Sequence, residues 1–255
     1  MSIPPLSKHE FAVYVGTLSL QLSATSKHLL LSDPDIVHRI RSVLRLSKGE
    51  ELVIFDGVQQ ATCSIIDISK KAISVDILSR ENTTPLLPSI TFLLPLLKKE
   101  AFERMIYACV ELGATTIQPI STEKSQRSWR SEKELERVHN IMVAAAEQSK
   151  QFALPIIHQP CSLPEALELY AKQQIKIVAD PTGAPLYELL TRLHQNLHPQ
   201  KRESIVITMG PEGDFSDTEK ELLRAASYQA VKLTPTVLRS QQAGALLLGV
   251  IRSVV

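Results

Sequence analysis

The chain has 255 residues, with 28 basic against 27 acidic side chains and a net charge of +1. It is long enough for one large domain or two unequal ones, and its overall charge announces no polyanionic partner, so any nucleic-acid binding must come from local patches. A hydrophobic content of 44% with 22% charged residues is ordinary globular composition, which excludes disorder as the default. Met1 to His9 lack the basic start and apolar core of a signal peptide, and no apolar run approaches the roughly 18 residues of a membrane span. The expectation is a soluble, cytoplasmic protein with no membrane partner. Cys63, Cys109 and Cys161 stand far apart, with no C-x-x-C pair and no histidine at a zinc-ligand spacing, and read as buried reduced thiols.

From Phe11 to about Ser79 the pattern is short and alternating. Phe11 to Val15, Glu51 to Phe55, Ala61 to Ile68 and Ala72 to Leu78 read as strands, with turns at Asp56-Gly57 and Ser69-Lys70-Lys71. One helix interrupts them: Asp33 can cap it, Pro34 suits its first position, and Ile36, Ile40, Val43 and Leu44 would share a face. This predicts a small β-rich domain over residues 1–80. The polar stretch Arg80 to Pro88, with its two prolines, marks the boundary.

Residues 81–255 change character. Strand-like runs at Thr91 to Leu97, Thr116 to Ile120, Ile175 to Ala179, Ser204 to Met209 and Ala230 to Leu233 alternate with helical stretches, the rhythm of a parallel α/β sheet. Ser131 with Glu134, Ser162 with Glu165, and Ser216 with Glu219 have capping-box spacing. Phe102, Met105, Ile106, Cys109 and Leu112 form an apolar stripe that Gly113 terminates.

Two segments stand out chemically. Ser204 to Ser216 reads as a buried strand running into Gly210, Pro211 and Gly213 ahead of a capped helix. Glycines there allow close approach of a ligand to the backbone at the carboxyl end of a strand, or serve a tight strand-to-helix connection alone. Downstream, Ala230 to Leu233 runs into Thr234-Pro-Thr-Val-Leu-Arg-Ser240 and a helix from Gln241 to Val254, whose Ala243, Leu246, Leu247, Val250, Ile251 and Val254 form a face suited to core or to a subunit contact.

Taken in order, G-P-E-G-D-F-S-x-x-E and L-T-P-T-V-L-R-S resemble the paired signature of the RsmE-type family, which methylates N3 of a uridine in small-subunit (16S) ribosomal RNA and lies within the SPOUT superfamily. Glu111 to Pro119, Ala145 to Ser149 with Leu154-Pro155, and Val43 to Gly49 with Phe55-Asp-Gly57 extend the resemblance over nearly the whole chain. It implies a PUA-like β-barrel that binds RNA, followed by an α/β domain with a C-terminal trefoil knot, in a homodimer acting on ribosomal RNA or the assembled small subunit. It also implies that S-adenosylmethionine lies in the knot, held largely by backbone groups of Met209, Gly210, Pro211, Glu212 and Gly213 and of Leu233, Pro235, Val237, Leu238 and Arg239. No metal is required.

The uracil N3 proton must leave as the new bond forms, and a cation nearby can stabilise the anionic ring. Arg239 is the candidate for that role; its alternative is to tie the loop to a carboxylate or carbonyl. The family usually reads R-T-E-T where this chain has Arg239-Ser-Gln-Gln242, so Gln241 stands in place of a glutamate at a catalytic position, and an amide cannot take a proton at neutral pH. Hydrogen bonding by residue 241, substitution by Glu212 or Asp214, or reduced activity are the options. Asp214 stands where the family commonly has glycine, and Ala108 and Gln151 replace basic residues.

For RNA the expected surface is the helix bearing His38, Arg39, Arg41 and Arg45, with Lys48 behind it; its alternative is a solvated helix face. Lys124, Arg127 and Arg130 with Trp129 form a second basic stretch, where Trp129 could stack on RNA or pack internally. No G-x-G-x-x-G after a strand, G-x-x-x-x-G-K-[ST], G-x-S-x-G or H-E-x-x-H is present. The competing reading is an RNA-binding or ribosome-assembly protein of the same fold with weak or no methyl transfer.

Overall fold

The computed structural model describes residues 11–16, 18–21, 27–125, 127–129, 132–196 and 204–255. The chain divides into two compact units, Met1–Thr84 with Ala146–Ala153, and Pro85–Ala145 with Leu154–Val255.

In the first unit, strands β1 (Phe11–Tyr14), β2 (His28–Leu31), β3 (Glu51–Phe55), β4 (Gln59–Ile68) and β5 (Ile73–Asn82) form one sheet in the order β1-β3-β4-β5-β2. Two short helices, α1 (Leu18–Gln21) and α2 (Pro34–His38), complete it. β1 runs parallel to β3, whereas β3, β4, β5 and β2 pair antiparallel. Register shifts at Thr62/Cys63 and Ile65/Asp67 bend the long β4–β5 ladder. Alternate residues of all five strands converge on one apolar core with Leu18, Val37 and Ile40. Burial pushes the Cys63 thiol up to about 12, so it stays a thiol in that core.

Two details depart from the sequence expectation. β5 continues through Asn82, because Thr83 donates its amide to Val58 and its hydroxyl to Gly57, so part of the expected linker is strand. Asp33 caps α2 through its side chain, with Pro34 behind it, but the next turn, Arg39–Val43, is π-helical, Leu44 donating its amide to the Arg39 carbonyl at 2.9 Å. The wider turn rotates the face inward at Val37 and leaves Val43 58% exposed.

The residues from Ala146 to Ala153 are held to this unit by Glu147. Its buried carboxylate accepts the Tyr14 amide at 3.0 Å and pairs with Arg39, and Phe152 packs on Phe55 with ring centroids 4.7 Å apart.

In the second unit, β6 (Ile90–Pro95), β7 (Thr116–Ser121), β8 (Ile156–Ile157), β9 (Cys161–Ser162), β10 (Ile175–Pro185), β11 (Ile205–Met209) and β12 (Gln229–Lys232) build a parallel sheet in the order β12-β10-β11-β6-β7-β8, with β9 also on β7. The helices are α3 (Lys99–Glu111), α4 (Glu132–Ser149), α5 (Leu163–Leu169), α6 (Leu186–Asn196), α7 (Asp217–Ala225) and α8 (Ser240–Val254). Complete capping boxes start α5 at Ser162 and α7 at Ser216; the third, Ser131 with Glu134, lies outside the described residues. Gly113, at φ +76°, ends α3. On α8 the fully buried residues are Gly244, Leu247, Leu248 and Ile251, one step round from the expected stripe, and Leu246 is left exposed. No described helix is long and apolar enough to cross a membrane.

Asp56 ties the turn after β3 together. It accepts the amides of Ser19, Val58 and Gln59 and the Ser19 hydroxyl. Burial alone would raise its carboxyl, but these donors hold it below its usual value. A depressed folded-state pKa stabilises the fold above the unfolded value near 3.8 and loses that stabilisation as pH falls through the folded value. Asp56→Asn is therefore expected to lower stability by about 1–2 kcal/mol at pH 7. In urea titrations the gap to wild type should close below about pH 4, and a gap constant across that range would contradict this origin.

Candidate functional site

β10, β11 and β12 lie side by side, and a bulge in β10 together with the loops that follow β11 and β12 encloses a cavity of about 320 Å³, within the range of small-molecule sites.

The first loop follows β11. Asp214 donates its amide to the Pro211 carbonyl at 2.9 Å and is left-handed at φ 59°, which explains structurally why glycine would also suit this position. The turn doubles back so closely that a Cβ on Gly210 would lie 2.6 Å from the Asp214 Oδ1. The Asp214 carboxylate accepts the Phe215 amide at 2.8 Å and the Lys220 ammonium at 2.6 Å.

The second loop is a bulge in β10. Ala179 and Ala184 both stand opposite Val231, so residues 180–183 are extruded from the ladder. Gly183 is obligatory here, since a Cβ would fall 2.4 Å from the Ala230 carbonyl carbon. Asp180 accepts the Thr182 amide and hydroxyl at 2.7 and 2.6 Å and lies 3.8 Å from Lys220. Burial opposes ionisation of Asp180, but Thr182, Lys220 and Arg224 together hold its pKa low. Lys220 is pushed the other way, first by its hydrogen bond to Asp214. One cation thus joins the two loops.

The third loop, Leu233 to Arg239, is irregular. Among the described residues, the amides of Thr234, Thr236, Val237 and Leu238 donate to no backbone carbonyl, and Val237 is 81% exposed. Arg239 is the residue before α8, where its carbonyl accepts the Gln242 and Ala243 amides at 2.9 Å. Its exposed guanidinium takes no ion pair or hydrogen bond among the described residues, so it does not tie the loop to a carboxylate or carbonyl there.

Of the residues singled out from sequence, Met209, Gly210, Pro211, Glu212, Leu233, Val237, Leu238, Arg239 and Gln241 line this one cavity. Gly213 and Pro235 do not; Gly213 rests against the stem of Lys124 instead. Asp180, Pro181 and Asp214 line it as well. Asp180 and Pro181 lacked a motif, and the available signal was their place directly after a strand of the parallel sheet.

The basic residues behave unequally. Arg41, Arg45 and Lys48 are exposed, whereas Arg39 is drawn onto Glu147. Arg127 pairs with Glu134 at 2.8 Å and lies over the Phe102 ring, and Trp129 meets that ring edge-on. Lys124 donates to the Phe215 carbonyl at 3.2 Å, and Arg130 lies outside the described residues.

Residues 84–252 match the family described as RNA methyltransferase domain, and residues 31–78 match RNA methyltransferase PUA domain. The chain belongs to this RNA methyltransferase family. Within it, the chain is similar to the ribosomal RNA small subunit methyltransferase E of Synechocystis, at 32% identity over 80% of this chain and 66% of that one. It is also similar to the protein of the same name from Mycobacterium bovis, at 28% identity over 86% of this chain and 84% of that one. Among solved structures, a putative methyltransferase from Legionella pneumophila in complex with SAM superposes with a TM-score of 0.77 at 27% identity, covering 96% of this chain and 98% of that one. The methyltransferase E of Neisseria gonorrhoeae bound to S-adenosyl methionine shares the fold at a TM-score of 0.77, 24% identity and the same coverage.

Two tests follow from these contacts. Gly183→Ala should lower stability by about 1–3 kcal/mol, read from the urea midpoint; an unchanged midpoint would mean that β10 and β12 can part without cost. Arg39→Ala should destabilise by about 1–3 kcal/mol, because it strands a buried carboxylate. Arg41→Ala, at an exposed position, should stay within about 0.5 kcal/mol of wild type; equal effects of the two would remove the structural role given to Arg39.

Proposed function

We propose that this protein transfers a methyl group from S-adenosylmethionine to N3 of a uridine in small-subunit ribosomal RNA. The observation that carries this reading is the convergence of two segments twenty residues apart in sequence, Met209 to Glu212 and Leu233 to Arg239, on one cavity at the strand ends.

The residues present fit the cofactor. The third loop offers backbone amides that no backbone carbonyl takes among the described residues, Val237 and Leu238 offer apolar surface, and Gly210 lets the first loop fold tightly against the strand end. These suit an adenosyl group held by backbone bonds and apolar walls. When bound, S-adenosylmethionine supplies a methyl group already activated on a sulfonium sulfur, so alignment is the main demand on the protein. The Arg239 guanidinium, without an ion pair among the described residues, is the group we assign to stabilising charge on the uracil ring, and Gln241 can hydrogen-bond the base in either direction without taking its proton.

Arg41, Arg45 and Lys48 are the residues we assign to phosphate contacts in the PUA-like unit; Arg39 is left to the fold. Leu246, with the half-buried Ala243, Val250 and Val254, forms the side of α8 suited to a second copy in a homodimer. α8 follows the edge strand β12 yet packs on α3 and the central strand β11, a return path in keeping with a trefoil knot. The cytoplasm, where ribosomes are assembled, is the compartment that goes with this substrate.

Small ribosomal subunits from cells lacking the protein, incubated with it and methyl-labelled S-adenosylmethionine, should take up label, and digestion of their RNA should yield N3-methyluridine. Cofactor binding without any transfer would instead support the second reading, an RNA-binding assembly factor, which the glutamine at position 241 favours. Label on a different nucleotide would keep the enzyme class and replace the target.

A further inference from the structure

We propose that Glu212 is the catalytic residue that takes the uridine N3 proton, an inference that rests on the function proposed above. Among the described residues, the cavity is lined by three carboxylates, Asp180, Glu212 and Asp214, and by no histidine, lysine, tyrosine or cysteine. Its arginine cannot serve as a base at any working pH, and its glutamine cannot accept a proton.

The carboxylates differ in how they are engaged. Asp214 accepts the Phe215 amide with one oxygen and Lys220 with the other, at 2.8 and 2.6 Å. Asp180 accepts two bonds from Thr182 on one oxygen, faces Lys220 at 3.8 Å with the other, and its side chain is only 13% exposed. Both carboxylates thus have one oxygen turned to Lys220 and the other already accepting hydrogen bonds, which leaves neither open to an incoming base. Glu212 is exposed, and only its Oε1 is bonded, accepting the Lys98 amide at 3.0 Å. Its Oε2 has no partner among the described residues. One anchored oxygen holds the group on the Pro211-stiffened turn, and the open one meets a base that enters from solvent, as a base presented by RNA must.

In the step itself the N3–H proton passes to Oε2 while the nitrogen electron pair forms the new bond to the methyl carbon. The bonding pair of the broken carbon–sulfur bond stays on sulfur. The products are N3-methyluridine, a neutral thioether and a protonated Glu212, which releases its proton to water. No oxidant or metal is needed to balance it. In this chain the proton acceptor therefore sits in the loop after β11 rather than at position 241 on α8.

The test compares the full-length wild type with Glu212→Gln, using small subunits from cells lacking the protein, grown with or without 5-fluorouracil. Fluorine at C5 makes N3–H more acidic and relieves the need for a base. Glu212→Gln should bind S-adenosylmethionine within about threefold of wild type by calorimetry and slow single-turnover transfer to ordinary subunits by about 100-fold or more. On fluorinated subunits the deficit should shrink to less than about 10-fold, and Glu212→Asp should recover part of the rate on ordinary ones. A rate within threefold of wild type would overturn the proposal. So would an equal deficit on both substrates, since a merely structural Glu212–Lys98 bond gives no rescue by a more acidic base. A wild type that binds cofactor but labels neither substrate would remove the parent function, and this proposal with it.

Discussion

The site depends on β11 being buried on both faces. All five of its residues are inaccessible, between β10 on one side and β6 on the other, and its one polar side chain, Thr208, satisfies itself by donating to the Leu93 carbonyl at 2.8 Å. A strand in that position presents chemistry only at its ends. At its carboxyl end the chain must leave the sheet and enter α7 within a few residues, which concentrates the close approach at Gly210 and the left-handed Asp214 in one turn. Ala179 of β10 stands level with Met209 and Val231, so the bulge that follows it and the loop after β12 meet that turn. The cavity follows from two parallel strands ending where the strand between them bulges, and Lys220 fixes two of its walls by neutralising a carboxylate on each.

Much of this was legible in the residues. The parallel strands announced themselves by short apolar runs alternating with helical ones, and the capped start of α7 by Ser216 and Glu219. What spacing left open, a ligand cradle or a plain tight turn, was narrowed by pairing the two distant segments through their family resemblance. The missing parts have a common physical cause. Gly183 is required by the backbone of Ala230, and Asp180 is placed by the bulge that this contact permits; neither condition is local in sequence. Arg39 looked like its basic neighbours, but a carboxylate 108 residues away claims it. The π-helical turn moved Val37 inward and Val43 outward, a shift of phase that a 3.6-residue period does not anticipate.

Charge is distributed economically for a chain so close to neutral. Several acidic groups in the second unit are committed to cations: Asp180 and Asp214 to Lys220, Glu134 to Arg127, Glu103 to Arg137. Among the described residues, Arg239 and one oxygen of Glu212 are left open, and both residues line the cavity. A net charge of +1 is thus compatible with local polarity, because near-equal numbers of opposite charges can still be unevenly placed.

The assignment of Ala146–Ala153 to the first unit has a consequence for biogenesis. A ribosome releases the first 84 residues early, but Glu147, the partner of both the Tyr14 amide and Arg39, is polymerised only after some sixty further residues of the other unit. Until then the nascent PUA-like unit carries an arginine and an edge-strand amide without their acceptor, and Phe55 without Phe152. At elongation rates of roughly 5–20 residues per second, the first unit waits several seconds in an unfinished state. A fragment ending at Thr84 would remain in that state permanently.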